Sequence, residues 1–306
     1  MSYVFGPVPS RRLGLSLGID LIPRKTCSYD CIYCQVGKTT DRIMEPSSFV
    51  SVSDVIEELK EVLLKTPPDV ITLAGSGEPT LNADIGVIIS EIKKITPIPI
   101  TLLTNGSLLW NRQVREKITG VDILIPTLSS IYEETYNKIH RPHPGLKLDN
   151  ILNGLKDTRK EYTKDYFLEV VLLAGLNDTE KEISGLLNII NDIKPDRVQL
   201  NTVVRPPSEP GAISLSSEKL EEIKNFLGGN TEIIAAAPLK SRKNKLDSIG
   251  DQIIEMIKRR PVTVDDISNS LNIKKVETER FIKGLKIKGY IEEQRHGDNL
   301  FYTSKQ

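Results

Sequence analysis

Six short β-rich runs, each separated from the next by segments of helical period, fill the first two thirds of the chain and leave few folds open to it. They are SLGIDLI (16–22), VITL (70–73), ITLLT (100–104), ILIPTL (123–128), YFLEVVLL (166–173) and RVQLNT (197–202). Apolar strands alternating with amphipathic helices specify a parallel sheet covered by helices. Six βα units fall short of the eight that close a full barrel, so the expected core is an α/β fold: an open, partial (β/α)6 barrel of the TIM type. Between the strands, Val55, Ile56, Leu59, Val62 and Leu63 make one helical stripe, and Ile183, Leu186, Leu187, Ile189, Ile190 and Ile193 make another; both read as core faces. Residues 217–227 read as a closing helix, and TEIIAAAP (231–238) as one more strand.

At Pro238 the alternation stops. LKSRKNKLDS (239–248) is polar and basic, without apolar period, and reads as a linker. The expected organisation is a barrel over 1–238, a linker over 239–249 and a small domain over 250–306. Within the last, helices are expected near 251–258, from a Thr263/Asp266 start, and over 274–288 up to Gly289. The tail YIEEQRHGDNLFYT alternates around a His-Gly-Asp-Asn turn, which completes a winged helix-turn-helix domain. Its third helix carries Lys274, Lys275, Arg280, Lys283, Lys286 and Lys288, with Arg295 and His296 at the wing tip, as a DNA-reading helix would. Residues 251–306 nevertheless hold 11 Lys or Arg against 9 Asp or Glu, a weak excess for phosphate binding. RNA, DNA and protein all stay open as partners of this domain.

Only three cysteines occur, Cys27, Cys31 and Cys34, all within eight positions. An odd number so closely spaced points to metal ligation rather than to disulfides. The loop CSYDCIYC follows the first expected strand, at the end of a barrel where active sites lie. It is short enough to wrap three thiolates around one face of a [4Fe-4S] cluster, which usually takes four protein ligands. With no fourth cysteine, one iron is left for an external ligand. Structural zinc is the less favoured alternative, because it needs a fourth ligand and His140, His143 and His296 are far away in sequence.

CxxxCxxC with an aromatic, Tyr33, before the last cysteine resembles the signature of the radical SAM superfamily. The resemblance implies that S-adenosyl-L-methionine chelates the open iron through its amino and carboxylate groups. An electron, from a donor such as flavodoxin or ferredoxin, then cleaves the sulfonium to methionine and a 5′-deoxyadenosyl radical that abstracts a substrate hydrogen. The turn Gly75-Ser76-Gly77-Glu78-Pro79 is similar to the family's Gly-Gly-Glu-Pro turn for the methionine amino group, with Ser76 in place of the central glycine. Glu78 would either fix the bend or accept a bond from the ammonium. By the same analogy Asn105, Ser129, Glu169 and Asn201 lie at the cavity mouth for the ribose, carboxylate and adenine, although Asn-Gly is also a common turn and Ser129 also fits a helix cap. Arg11, Arg12, His140, Arg141 and Arg205 are candidates for contacting an anionic substrate, a phosphate or a carboxylate.

GPVPSRRLGLSLGIDLIP, IHRPHPGLKL, GLND and NTVVRPP extend the resemblance over roughly residues 3–215, to a subgroup of iron-sulfur oxidoreductases related to the tRNA wyosine-forming enzymes. Those enzymes carry further cysteines for a second cluster, and this chain has none to spare, so a single cluster is implied. The expected activity is radical SAM chemistry on an RNA or protein substrate; the alternatives are a glycyl-radical enzyme activase and an iron-sulfur DNA-binding regulator. The 41 basic residues balance 41 acidic ones, so overall charge argues for neither nucleic acid nor membrane. No apolar run approaches the roughly 20 residues of a membrane span, and MSYVFGPVPSRRLG lacks the apolar core of a signal peptide, so a cytoplasmic location is expected.

Overall fold

A computed structural model describes residues 2–65, 67–235, 249–271 and 273–305. Residues 239–248 of the expected 239–249 linker and the last three residues of the expected 231–238 strand lie outside the described residues, and Ile249 already begins a helix. The strands are β1 (Val4–Ser10), β2 (Gly14–Ile19), β3 (Thr26–Cys27), β4 (Asp41–Arg42), β5 (Val70–Leu73), β6 (Ile100–Thr104), β7 (Ile123–Pro126), β8 (Asp165–Leu172), β9 (Arg197–Thr202), β10 (Thr231–Ile233), β11 (Ile291–His296) and β12 (Asn299–Ser304). The helices are α1 (Val52–Lys65), α2 (Ile85–Ile95), α3 (Arg112–Lys117), α4 (Glu133–His140), α5 (Leu148–Glu161), α6 (Glu180–Ile193), α7 (Ser217–Leu227), α8 (Ile249–Arg259), α9 (Val264–Leu271) and α10 (Lys275–Ile287).

Eight strands form one sheet in the order β1-β2-β5-β6-β7-β8-β9-β10. From β2 to β10 neighbouring strands run parallel, and β1 pairs antiparallel with β2. The sheet ends at β1 and β10, so it is the open, partial barrel that six βα units predict, with a strand added at each edge. The strands expected at 70–73, 100–104 and 197–202 have those bounds. The one expected at 16–22 runs instead from Gly14 to Ile19, because Leu15 already pairs with Pro9 and the chain leaves the sheet at Asp20. The one expected at 123–128 stops at Pro126, and pairing continues only as an isolated bridge from Thr127 to Glu169. The edge strand β1 escapes the pattern because Gly6, Pro7 and Pro9 mask its β character; proline is tolerated at a sheet edge, where its missing N–H costs no ladder bond.

Strand alternation separates two faces. Leu17, Ile19, Ile71, Leu73, Leu102, Val170 and Leu200 join the helices in one apolar core, where complete burial of each such side chain stabilises by roughly 1.5–3 kcal/mol. Val55, Ile56 and Leu59 of α1, and Ile183, Leu186, Ile189, Ile190 and Ile193 of α6, are buried in that core as their stripes predict, while Val62, Leu63 and Leu187 pack at its edge. Alternate residues, among them Ser16, Thr72, Glu169 and Asn201, face a cavity instead.

The C-terminal segment has its own core, built by Ile253, Ile257, Val262, Ile267, Ile282, Leu285, Ile291 and Tyr302 among others. Helix α9 starts with a reciprocal cap: Thr263 N–H donates to Asp266 at 3.1 Å and Asp266 N–H donates to Thr263 Oγ1 at 3.0 Å. Strands β11 and β12 form an antiparallel hairpin from Ile291/Ser304 to His296/Asn299, and Val262 bridges to Tyr302. Three helices and this wing make a winged-helix-like module. It lies against the barrel through contacts of α8 and α9 with β1. Two arginines pin it there. Arg205 donates to the Pro261 carbonyl at 3.2 Å and faces Asp266 at 3.4 Å, while Arg259 reaches Asp20 at 3.4 Å and the Ser2 carbonyl at 3.0 Å.

Candidate active site

The cysteine loop hangs between β3 and the sheet and is clamped mainly by backbone hydrogen bonds. Asp30 N–H donates to His140 O at 3.0 Å, Ile32 N–H to Ile139 O at 2.9 Å, and His143 N–H to Ser28 O at 2.8 Å. On its other side Ser208 Oγ donates to Cys31 O at 2.8 Å and Glu209 N–H to Ile32 O at 3.0 Å. Cys27, Cys31 and Cys34 are each partly exposed, and all three line one cavity of about 420 Å³. Among the described residues no three His, Cys, Asp or Glu side chains converge on one metal ion.

Several polar groups reach the sulfurs, among them the Tyr33 side chain at Cys31 and backbone N–H groups at Cys27 and Cys34. Asn105 directs an amide N–H at Cys27 Sγ at 3.5 Å and donates to Ser28 Oγ at 2.9 Å. His140 Nδ1 lies 3.3 Å from Cys31 Sγ. That imidazole sits among the rings of Tyr29, Tyr33 and Tyr136, with centroids 4.7–5.8 Å away. Burial lowers its pKa to about 3, so it is neutral. Tyr33 also lines the cavity.

The glycine turn follows β5, next to the loop. A Cβ on Gly77 would overlap the Thr26 carbonyl, and one on Gly75 would overlap the Asp20 carboxylate, so only glycine permits this approach of turn to loop. Ser76 replaces the expected central glycine for a local reason: its N–H and Oγ donate to Asp20, the hydroxyl at 2.6 Å. Asp20 escaped the sequence reading because it sits where a strand ends. Glu78 is 2 % exposed and fully committed within the protein. It accepts from Thr80 N–H at 3.0 Å, Thr80 Oγ1 at 2.6 Å, Thr104 Oγ1 at 2.6 Å and Asn105 N–H at 2.7 Å. Of its two expected roles the geometry supports fixing the bend. Pro79 starts a short 3-10 helix behind the turn.

Across the cavity, Glu169 of β8 accepts from Arg12 at 2.9 Å, Asn201 at 2.8 Å and Thr127 at 3.2 Å. Burial pushes this carboxyl up, but the Arg12 charge and these three bonds together hold it below the ordinary glutamate value. Arg12 also donates to Gln199 at 3.1 Å.

The cavity therefore brings together the three cysteines, Tyr33, Gly75, Gly77, Glu78, Asn105, Glu169, Asn201, Arg11, Arg12 and Arg205. Five expected residues are placed differently. Ser129, expected at the mouth, is completely buried outside the cavity lining, and its backbone carbonyl accepts from Asn177 at 2.7 Å. His140, expected at substrate, is 1 % exposed behind Cys31. Arg141 caps α4 with a left-handed backbone (φ 44°), which turns it away from His140 and toward Glu209 at 2.8 Å and Asp30 at 3.7 Å. Ser76 and Pro79 belong to the turn but are not among the residues lining the cavity. The sequence reading missed Arg259 and Arg260, which the C-terminal module adds to the lining; cations at a helix C-terminus read simply as dipole partners.

The donor set is compatible with a cluster. Burial, with the Glu78 charge next, pushes the Cys27 thiol up to about 12, and burial likewise raises Cys31 and Cys34. The protein by itself thus disfavours the thiolate form at all three positions, and a cationic centre would reverse that preference.

Residues 21–187, more than half of the chain, match the model of the radical SAM superfamily. The chain belongs to that superfamily and is accordingly a radical SAM enzyme. Within it, the chain groups with the UPF0026 proteins: it is 37% identical over 253 residues to one from Methanocaldococcus jannaschii, covering 82% of this chain and 75% of that one. It is also 41% identical over 304 residues to a protein named GTPase Obg from Brachyspira hyodysenteriae, covering 98% of this chain but only 45% of that protein. Among solved structures, a radical SAM methyltransferase from Sphaerobacter thermophilus shares the fold, with a TM-score of 0.56 and 16% identity over 71% of this chain and 65% of that one. No helix among the described residues is long and apolar enough to cross a membrane.

Proposed function

We propose that Cys27, Cys31 and Cys34 hold one [4Fe-4S] cluster and that S-adenosylmethionine binds beside it, against the turn at 75–79 and the polar wall of Glu169 and Asn201. The observation that carries this reading is that all three thiols, the glycine turn and that polar wall line a single cavity at the C-terminal ends of the strands. When bound, the two groups supply reductive cleavage of the sulfonium to a 5′-deoxyadenosyl radical.

The chain's own residues prepare the site. His140 and Asn105 place polar groups on two of the three sulfurs, which orients those ligands and spreads their charge. Glu78 ties the turn to β6 through Thr104 and Asn105, fixing both walls of the cofactor space at once. Glu169, held charged by Arg12, is an acceptor for hydroxyl groups. The C-terminal module narrows the mouth with Arg259 and Arg260 and would limit water entry during a radical reaction. The wyosine-like resemblance extends to the barrel alone; a reaction that needs a second cluster is not part of this proposal, since the sequence has three cysteines in all. An external electron donor such as flavodoxin or ferredoxin, and a cytoplasmic setting, belong to the same reading.

The test is anaerobic reconstitution followed by iron and sulfide analysis and a dithionite assay for 5′-deoxyadenosine. Four irons per chain and cofactor cleavage are expected. An intact four-iron cluster whose spectrum ignores S-adenosylmethionine, with no 5′-deoxyadenosine formed, would falsify the proposal.

A further inference from the structure

One wall of the cavity is cationic and comes from two modules. Arg11 and Arg205 belong to the barrel, and Arg260 follows α8 of the C-terminal module. Arg11 gives one N–H to the Ala235 carbonyl at 3.0 Å, and Arg205 is held by Pro261 and Asp266. The Arg260 side chain has no hydrogen-bond or ion-pair partner among the described residues, and the Arg259 Nε beside it is buried without one. The guanidinium groups also work against each other: the Arg205 charge, then burial, pushes Arg260 down to about 9, while burial, then Arg205, pushes Arg11 down to about 10. Asp266 is the carboxylate that opposes all three, and Arg12 is already committed to Glu169. Positive charge gathered in a half-enclosed space and left short of counter-charge is costly unless a ligand supplies it.

A second cleft, of about 940 Å³, continues outward from Arg259 and Arg260 between the segment after the cysteines and the C-terminal hairpin. Arg24, Lys25, Lys38, Lys258 and Lys305 line it, and Glu292 is the carboxylate in that lining. The chain as a whole is neutral, so this excess is local. Arginine forks followed by a track of lysines match several phosphate groups in series better than one carboxylate.

We propose that the channel running from Arg11, Arg205 and Arg260 inside to Lys258 and Lys305 outside binds the phosphate groups of the substrate, which carries more than one of them. This rests on reading the cysteine cavity as the active site, and it assigns the substrate's chemical class.

The test titrates the full chain, reconstituted and supplied with S-adenosylmethionine so that the cofactor's own carboxylate is in place. The probes are inorganic tripolyphosphate, ATP and a single-stranded oligoribonucleotide of mixed sequence, with citrate as the carboxylate control. At least one phosphate probe is expected to bind more tightly than citrate, with an affinity that falls with salt. R260A should weaken it tenfold or more, R260K should retain most of it, and K258A/K305A should flatten the salt dependence by about one unit of slope for each lysine removed. Binding of tripolyphosphate or ATP that R260A alone weakens identifies a small phosphorylated substrate. Binding of the oligonucleotide alone, weakened by both variants, identifies a phosphodiester chain. The proposal is overturned if no phosphate probe exceeds citrate, or if R260A and K258A/K305A, with melting curves like the parent's, bind as the parent does. Repeating the titration on the cluster-free full chain separates the two readings. Phosphate binding without cofactor cleavage sinks the cluster assignment alone, and cleavage without phosphate binding sinks this one alone.

Discussion

The two walls of the cavity are built in opposite ways. The cysteine wall is contiguous: three thiols in eight residues, on a loop whose backbone is bonded on both sides to segments around Ile139 and Ser208. The facing wall is assembled from residues 11–12, 169, 201, 205 and 259–260, and nearly every charge in it is set by a partner from another segment. The contrast shows a division of labour. Spacing along the chain fixes the wall proposed to hold the cluster, while packing between distant segments, including a second module, fixes the wall proposed to bind substrate.

The sharpest way to break that contrast is to remove one thiol. Cys31→Ala is expected to abolish assembly of a four-iron cluster and bring 5′-deoxyadenosine formation to background, measured by iron content and product chromatography. The thermal unfolding of the iron-free chain should change little, because the loop's clamps are mainly backbone bonds. A complete cluster in that variant would show that the contiguous wall is not the ligand set.

On the assembled wall, Arg12→Ala leaves Glu169 buried with Asn201 and Thr127 alone. Breaking such a pair costs about 3 kcal/mol, which urea denaturation would read, and Glu169→Gln in the same chain should restore part of it. The pH dependence carries the matching sign. Glu169 is held below its ordinary value of 4.5, so its contribution is complete above that pH and is lost as pH falls through the lower folded value. In Arg12→Ala that acid loss should move to higher pH; an unchanged acid transition would mean that Arg12 does not hold this carboxylate.

Smaller effects test the turn that joins the walls. Glu78→Gln keeps the shape and the Oε1 acceptor but sets an amide NH2 against the Asn105 N–H, and about 2 kcal/mol of stability should go. Ser76→Gly restores the superfamily's usual glycine and removes one hydroxyl bond to Asp20, at a cost of about 1 kcal/mol in the same denaturation experiment. A larger loss from Ser76→Gly than from Glu78→Gln would reverse the roles assigned to the two residues.

How much was legible follows the same division. VITL, ITLLT and RVQLNT are apolar enough to announce their strands to the residue, whereas Gly6, Pro7 and Pro9 hide β1. The cysteine loop and glycine turn show in the sequence because each is a contiguous motif with its own spacing. The linear pattern cannot say which way a side chain faces across the sheet. Thus His140 is placed behind a cysteine, Arg141 turns outward on a left-handed cap, and Ser129 drops into the core. Arg259 and Arg260 are invisible as site residues until α8 is seen against β1.

The pin from Arg259 to Asp20, and from Asp20 to Ser76, spans nearly the whole chain. A ribosome makes the thiols and the glycine turn long before Arg259, and domains fold broadly in the order they emerge. For that interval the barrel presents its cysteines through a mouth with no arginine wall across it, and docking of the C-terminal module then narrows the opening. If the cavity takes the proposed cluster, iron and sulfide would have their widest access to the nascent chain before Arg259 and Arg260 complete the far wall.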